Sequence, residues 1–434
     1  MHALDEFFGI SRNASTFAAE LRAGLATFLT MSYILFVNPQ ILAEAGMPVN
    51  DVAFATAISA AIATFIMGVW AHYPFALAPG MGLNAYFTYG VVLEMGVSWQ
   101  TALAAVFVEG ALFFALSIGG IRAAVLNAIP LTLKNATTAG IGLFLAIIGL
   151  RNAGIVVDDP VTLVRLGDLG DAGVLAALVG LALMAVLMVR RILGALLIGI
   201  VAVTAWLWIA GMAPTPESVM AVPSLPSETL LAFDFSGLLT GKLVAVVIAF
   251  LFVDFFDTAG TLVGVGTLGG FVDRRGEMER AGRAFSADAV GTMVGAVFGT
   301  STVTTYVESA TGVEEGGRTG LTAVVVAILF LLSLWFLPLF SAGPAAATAP
   351  ALILVGALMM RASADIAWSQ YDEGIPAFLT ITAMPFTGSI ANGIAAGIIS
   401  YVLLKVFGGR PGDAGLVMLF LAIVLAVYYA IVGM

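Results

Sequence analysis

Apolar residues run along this chain in long unbroken blocks. They show neither the strict alternation of a half-buried strand nor the single stripe of a surface helix. A helix needs about 20 apolar residues to cross a bilayer, and polar, glycine or proline breaks divide the chain into roughly fourteen such blocks. In the first half they lie at Leu25–Leu42, Val52–Trp70, Phe75–Leu93, Thr101–Ile118, Thr137–Leu150, Ala172–Val189 and Ile192–Ala210. In the second half they lie at Leu243–Val265, Ala284–Phe298, Thr300–Val313, Leu321–Phe340, Ala345–Met360, Gly388–Phe407 and Leu416–Val432. The stretch Ile375–Thr387 reads as an interfacial piece or a half-span.

The polar loop between Met212 and Leu239 divides these blocks into two equal sets. An odd number of spans per set means that the two halves are inverted relative to each other in the membrane. The third block of each half is a poor helix. In ALAPGMGLNAYF, Pro79, Gly80 and Gly82 break it, and in GTSTVTTYVESATGV a run of β-branched and hydroxylated residues favours extended backbone. Interrupted segments at matching places in two halves point to a transporter's binding site. Irregular backbone at membrane depth is tolerated only inside protein or around a cavity.

Composition narrows the class. Of 434 residues, 61% are hydrophobic and 10% charged, against about 25% charged in average soluble chains. The expected class is an all-α polytopic membrane protein. The net charge of −10 carries no basic patch for nucleic acid. There is no cysteine, and His2 and His72 have no metal-ligand spacing, so neither a metal site nor a cofactor nor a hydrolytic nucleophile–base pair is expected. The N-terminal segment carries Asp5 and Glu6 and lacks the apolar core of a cleaved signal. With the N-terminus taken as cytoplasmic, the inner side collects Arg12, Arg22, Arg122, Lys134, Arg190, Arg191, Arg274, Arg275, Arg280, Arg283, Arg318 and Arg361. The outer side collects Arg151, Arg165, Lys242, Lys405 and Arg410. That bias predicts an inner-membrane protein with both termini cytoplasmic.

Charges inside the blocks are the candidate chemistry, since a carboxylate at the bilayer centre costs on the order of 2.5–3.5 kcal/mol. Asp254 and Asp257 lie three residues apart in FVDFFDTAGTLVGV, with Thr258 beside them and Thr261 one turn on. Glu308 lies in the broken second-half block, and Asn84 follows the first-half break. Glu109 and Asp288 suit a structural role as well as a functional one. Carboxylates, an amide and freed backbone N–H groups can together read a flat heterocycle with alternating donors and acceptors. Tyr86, Phe87 and Tyr306 offer aromatic faces. Acids in a low-dielectric site can also take up and release protons, which is the basis of proton coupling.

APGMGLNAYF, FVDFFDTAGTLVGV, TSTVTTYVESATGVEEGGRTGLTA and MPFTGSIANGIAAGIISY together resemble the AzgA-like branch of the xanthine/uracil permease family, the type-2 nucleobase–cation symporters. The resemblance implies about fourteen spans in a 7+7 inverted repeat, with short extended segments in spans 3 and 10. It implies a cytoplasmic segment 1–20, a core domain of 21–120 and 242–340, a gate domain of 121–211 and 341–434, and an outer loop 212–241. It further implies elevator-type symport of adenine, guanine or hypoxanthine with protons, and a homodimer in the lipid bilayer. Carried over by position, the base is bound by Asp257, Glu308, Asn84, Ala85, Phe87, Thr261, Thr305 and Tyr306, and protons couple through Asp254, Asp257 and Glu308. Where uracil and xanthine permeases have Glu-His-x-Gly, this chain has Asp257-Thr258-Ala259-Gly260, a shorter acid that suits a bicyclic base. The rival expectation is a small-anion transporter of the same fold for sulfate or bicarbonate, which carboxylates in the site oppose.

Overall fold

The computed structural model describes residues 2–118, 130–237, 241–273 and 278–432. Arg122, Arg274 and Arg275 of the charge count lie outside the described residues. Among those described, nine helices are long and apolar enough to cross a membrane, and Ala195–Ile209 and Leu416–Val427 are shorter apolar helices. Shorter helices and two two-stranded sheets are also present among the described residues. β1 (Leu77–Pro79) pairs with β4 (Val303–Thr305), and β2 (Val156–Asp159) pairs with β3 (Leu163–Leu166).

Three elements differ from the blocks read off the sequence. The first block starts earlier and ends later, as one span Phe17–Glu44, with a turn at Ser32 and Tyr33 between the segments Phe17–Met31 and Ile34–Glu44 in which both residues keep right-handed helical dihedrals. The helix expected at Thr137–Leu150 runs from Leu131 to Asn152, taking in Lys134 in its first turn and Arg151 in its last. The segment around Ile375–Thr387 is a full helix, Tyr371–Thr387, despite Pro376 and Pro385.

Contacts divide the chain into two units. The first comprises Met1–Gly120, Asn152–Ile155 and Leu166–Ala351, and the second Ile121–Arg151, Val156–Arg165 and Leu352–Met434. Within the first, helix Val49–Ile66 packs on Gly320–Ser333 and on Ala281–Phe298, which in turn packs on Trp99–Ile118. Small residues let these backbones meet, as expected where lipid removes the hydrophobic driving force between helices. At the closest approach, a Cβ on Gly320 would lie 1.9 Å from the Gly68 carbonyl oxygen, so only glycine fits.

At one end of this unit the linker ties several helix ends together. Asp51 accepts from the Glu228 and Thr229 N–H groups, Thr229 Oγ1 donates to the Phe298 carbonyl, and Asp234 accepts from Thr101 Oγ1 and the Ser236 N–H. At the opposite end Arg22 pairs with Glu315, and Ser15 donates to the Gly316 carbonyl.

In the second unit, helices Tyr371–Thr387 and Ile390–Phe407 pack closely. Buried Lys405 donates to Asp372 at 2.7 Å and Glu373 at 2.6 Å, and Arg410 donates to Asp372 at 2.5 Å.

Candidate functional site

Pro79, Gly80 and Gly82 stop the first broken segment from being a continuous helix, and the threonine run does the same for the second. The freed backbones satisfy each other. β1 and β4 lie antiparallel with Leu77 opposite Thr305, Ala78 opposite Thr304 and Pro79 opposite Val303. Two bonds extend the ladder, from the Gly80 N–H to the Thr302 carbonyl and from the Tyr306 N–H to the Ala76 carbonyl, each 2.9 Å. Both strands are fully buried. A Cβ on Gly80 would come within 2.6 Å of the Thr304 methyl, which explains the glycine.

A hydroxyl brackets each strand from a neighbouring helix. Thr64 donates to the Leu77 carbonyl and accepts from the Leu77 N–H, at 3.0 and 2.9 Å. Thr292 does the same to Val303, at 2.9 and 3.2 Å. Helices Met81–Ala85 and Ser309–Glu314 then lead away from the sheet.

The acids gather around this sheet. Asp257, half-buried on the long helix Gly241–Gly269, accepts from Thr304 Oγ1 at 3.4 Å. Glu308 follows β4 and accepts from Tyr33 Oη at 2.8 Å, which ties the first span to the second broken segment. Asp257, Glu308, Tyr33 and Tyr306 lie within electrostatic reach of one another. Tyr306 Oη donates to the Pro79 carbonyl at 2.6 Å, fixing its ring beside the first strand. Asn84 is fully buried. Its Oδ1 accepts from Ser301 Oγ, and its amide nitrogen has no hydrogen-bond partner among the described residues.

Asp254 and Asp257 share a helix but reach different partners. Asp254 is fully buried, with its Oδ2 3.4 Å from Thr292 Oγ1, whose single hydrogen is directed to the Val303 carbonyl at 2.9 Å. Asp288, also fully buried, accepts from Thr258 Oγ1 at 2.6 Å and from Thr305 Oγ1 at 3.0 Å. Thr305 is thus turned towards Asp288, while Thr304 serves Asp257. Ala85 and Phe87 are fully buried just past the first strand, and Thr261 is half-buried one turn beyond Asp257. None of these three donates to the acids.

Sequence reasoning missed Tyr33, Thr64, Thr292 and Ser301. Thr64 and Thr292 are single hydroxyls in apolar surroundings, a pattern that membrane helices also use for local backbone bonds, and Ser301 is one of several hydroxyls in the broken segment that nothing local sets apart. Only the broken partner segments mark where such hydroxyls matter.

Two half-spans crossed at a buried sheet, with acids and a free amide beside it, define a membrane transporter of the inverted-repeat class. Solved structures agree on the fold. The transmembrane domain of a cyanobacterial bicarbonate transporter, BicA, superposes with a TM-score of 0.67 over 86% of this chain and 97% of that one, at 16% identity. SLC26A9 superposes with a TM-score of 0.64 over 94% of this chain and 69% of that one, at 10% identity. These share the 7+7 inverted-repeat fold.

The sequence comparisons are more specific. The xanthine/uracil permease model, described as the Permease family, matches residues 18–396, and the chain belongs to that family. Guanine/hypoxanthine permease PbuO of Bacillus subtilis is 44% identical, covering 93% of this chain and 95% of that protein. Adenine permease AdeQ of Escherichia coli is 42% identical, covering 98% and 95%. These relatives are permeases, and this chain is a multi-pass membrane permease, not an enzyme.

Proposed function

We propose that this permease carries purine nucleobases into the cell by proton symport. The observation that carries the reading is the placement of Asp257 and Glu308 against the second half-span, with the unpartnered amide of Asn84 just past the strand of the first. Purine rings present N–H donors and ring-nitrogen acceptors in one plane, which two carboxyls and an amide can match. The names of PbuO and AdeQ support the same substrate class.

In this reading Glu308 and Asp257 bond the ring N–H and exocyclic groups. Asn84 and the backbone near Ala85, Thr305 and Tyr306 complete the recognition. Phe87 and Thr261 shape the pocket wall, and Asp254, Asp257 and Glu308 couple protons. Residues 21–120 and 242–340 form the moving core, and 121–211 with 341–434 the gate, in an elevator-type motion. The protein sits in the cell's inner membrane with both termini cytoplasmic, the 212–241 loop outside, and two copies joined through the gate.

The deciding experiment is uptake of labelled adenine, guanine and hypoxanthine into cells lacking their own purine permeases, with and without a protonophore. Accumulation of at least one base that the protonophore abolishes is the expected result. Uptake of sulfate or bicarbonate without purine uptake would replace this reading with the anion-transporter one.

A further inference from the structure

Two buried acids of the first unit are accommodated in opposite ways. Glu20, fully buried, accepts from the Arg318, Thr319 and Thr322 N–H groups and from Thr322 Oγ1, at 2.5–3.3 Å. It caps the helix Gly320–Ser333, and its charge is met by the positive end of that helix. Glu109, equally buried, has no donor on either oxygen. The groups within electrostatic reach of it are carboxyls, those of Asp288 and Asp254. Asp254 Oδ1 and Asp288 Oδ1 also lack a donor.

None of the ion pairs among the described residues includes any of these three acids. Nor do any three acidic or imidazole groups converge there as a metal-ligand set. The titratable groups facing the cluster are Asp257 on the same helix as Asp254 and, past it, Glu308, Tyr33 and Tyr306. All of them are acids or phenols. Several ionised carboxylates buried without a cation are prohibitively costly.

A count of hydrogens leads from this cluster to the substrate side. Asp257 Oδ2, Thr304 Oγ1, Thr258 Oγ1 and Asp288 Oδ2 form a chain with successive separations of 3.4, 2.8 and 2.6 Å. Those three contacts share only two hydroxyl hydrogens. With both acids ionised, one contact sets lone pair against lone pair. A single added proton completes the chain, and it can sit at either end. On Asp257, both hydroxyls point inward; on Asp288, both point outward.

We propose that Glu109, Asp254 and Asp288 form a proton-holding site separate from the substrate acids, and that Thr258 and Thr304 pass one proton between this site and Asp257. In the transfer Asp288 gives its proton to Thr258, Thr258 gives its own to Thr304, and Thr304 gives its own to Asp257. Asp288 ends as a carboxylate and Asp257 as a neutral acid, with no electrons moved. The relay rests on the symport reading above; the proton-holding site does not.

Two measurements on the purified full-length protein test the proposal. In proteoliposomes, Thr258→Val removes the hydroxyl and keeps the shape, while Thr258→Ser keeps the hydroxyl. Thr258→Val is expected to exchange base for base across the membrane, a cycle with no net proton movement, and to lose accumulation driven by a pH gradient. Thr258→Ser is expected to regain it. Wild-type accumulation by Thr258→Val, or accumulation driven by sodium alone, overturns the relay. Infrared difference spectra need no substrate. The wild type is expected to show the carbonyl stretch of a protonated carboxylic acid at neutral pH, and Glu109→Gln to diminish it. Absence of that band overturns the proton-holding site. If the wild type neither exchanges nor accumulates any purine, the purine reading fails, the relay with it, and the infrared band still decides the site.

Discussion

Tyr33 and Glu308 lie 275 residues apart in the chain and share one 2.8 Å bond. On the purine reading the phenol holds one carboxylate oxygen and the base takes the other, so Tyr33→Phe should fold normally and weaken purine uptake by raising KM. Concentration-dependent uptake checks this. On the purine reading, Glu308→Gln and Asp257→Asn each replace an acceptor oxygen facing an N–H donor of the base by an NH2 group. Both should abolish or sharply reduce uptake while the protein stays folded and inserted, as surface labelling would report; normal uptake would remove their assigned roles. Glu20 is a residue of the other kind. Its four donors are backbone N–H groups and a hydroxyl at a helix start, so Glu20→Ala leaves buried donors unmet. It should lower stability by about 1–3 kcal/mol, read as a lower melting temperature in detergent.

The two threonine brackets are what hold the strands as elements. Thr292→Val strips Val303 of the hydroxyl that meets both its N–H and its carbonyl and removes the polar neighbour of buried Asp254, whereas Thr64→Val strips only Leu77. The first should therefore cost more stability than the second, by melting of the two variants side by side. In the second unit, Lys405→Met leaves Asp372 and Glu373 without their buried cation, and breaking such a pair costs about 3–5 kcal/mol. Much at this scale was legible in the sequence. Pro79, Gly80 and the Thr300–Thr305 run announce extended backbone wherever they sit. The part Tyr33 plays was not legible, because its partner Glu308 lies 275 residues away and nothing local to the span points to it. Nor was the division of labour between Asp254 and Asp257. Spacing of three puts them near one face, but Thr292 and Thr304, which separate them, come from other elements.

Across the first unit the linker acts as a clasp, and Asp234 is one of its fastenings. Hydrogen bonds from Ser236, and then from Thr101, hold its carboxyl below the ordinary aspartate range. Its contribution to stability is thus present above the unfolded value, about 3.9, and is lost as the pH falls through the lower folded value. Asp234→Asn should melt at a less acid-sensitive temperature than the wild type below about pH 4, while the two converge in sensitivity near neutrality.

The pairing of β1 with β4 carries a consequence for descent. Each strand comes from a different half of the chain, and each finds its backbone partners in the other. A lone half would expose an unpaired strand at membrane depth, which lipid does not tolerate. A seven-span ancestor could have worked only as two copies inserted in opposite orientations, each lending its strand to the other. Gene fusion would then have recorded in one chain an antiparallel marriage that the bilayer had already enforced.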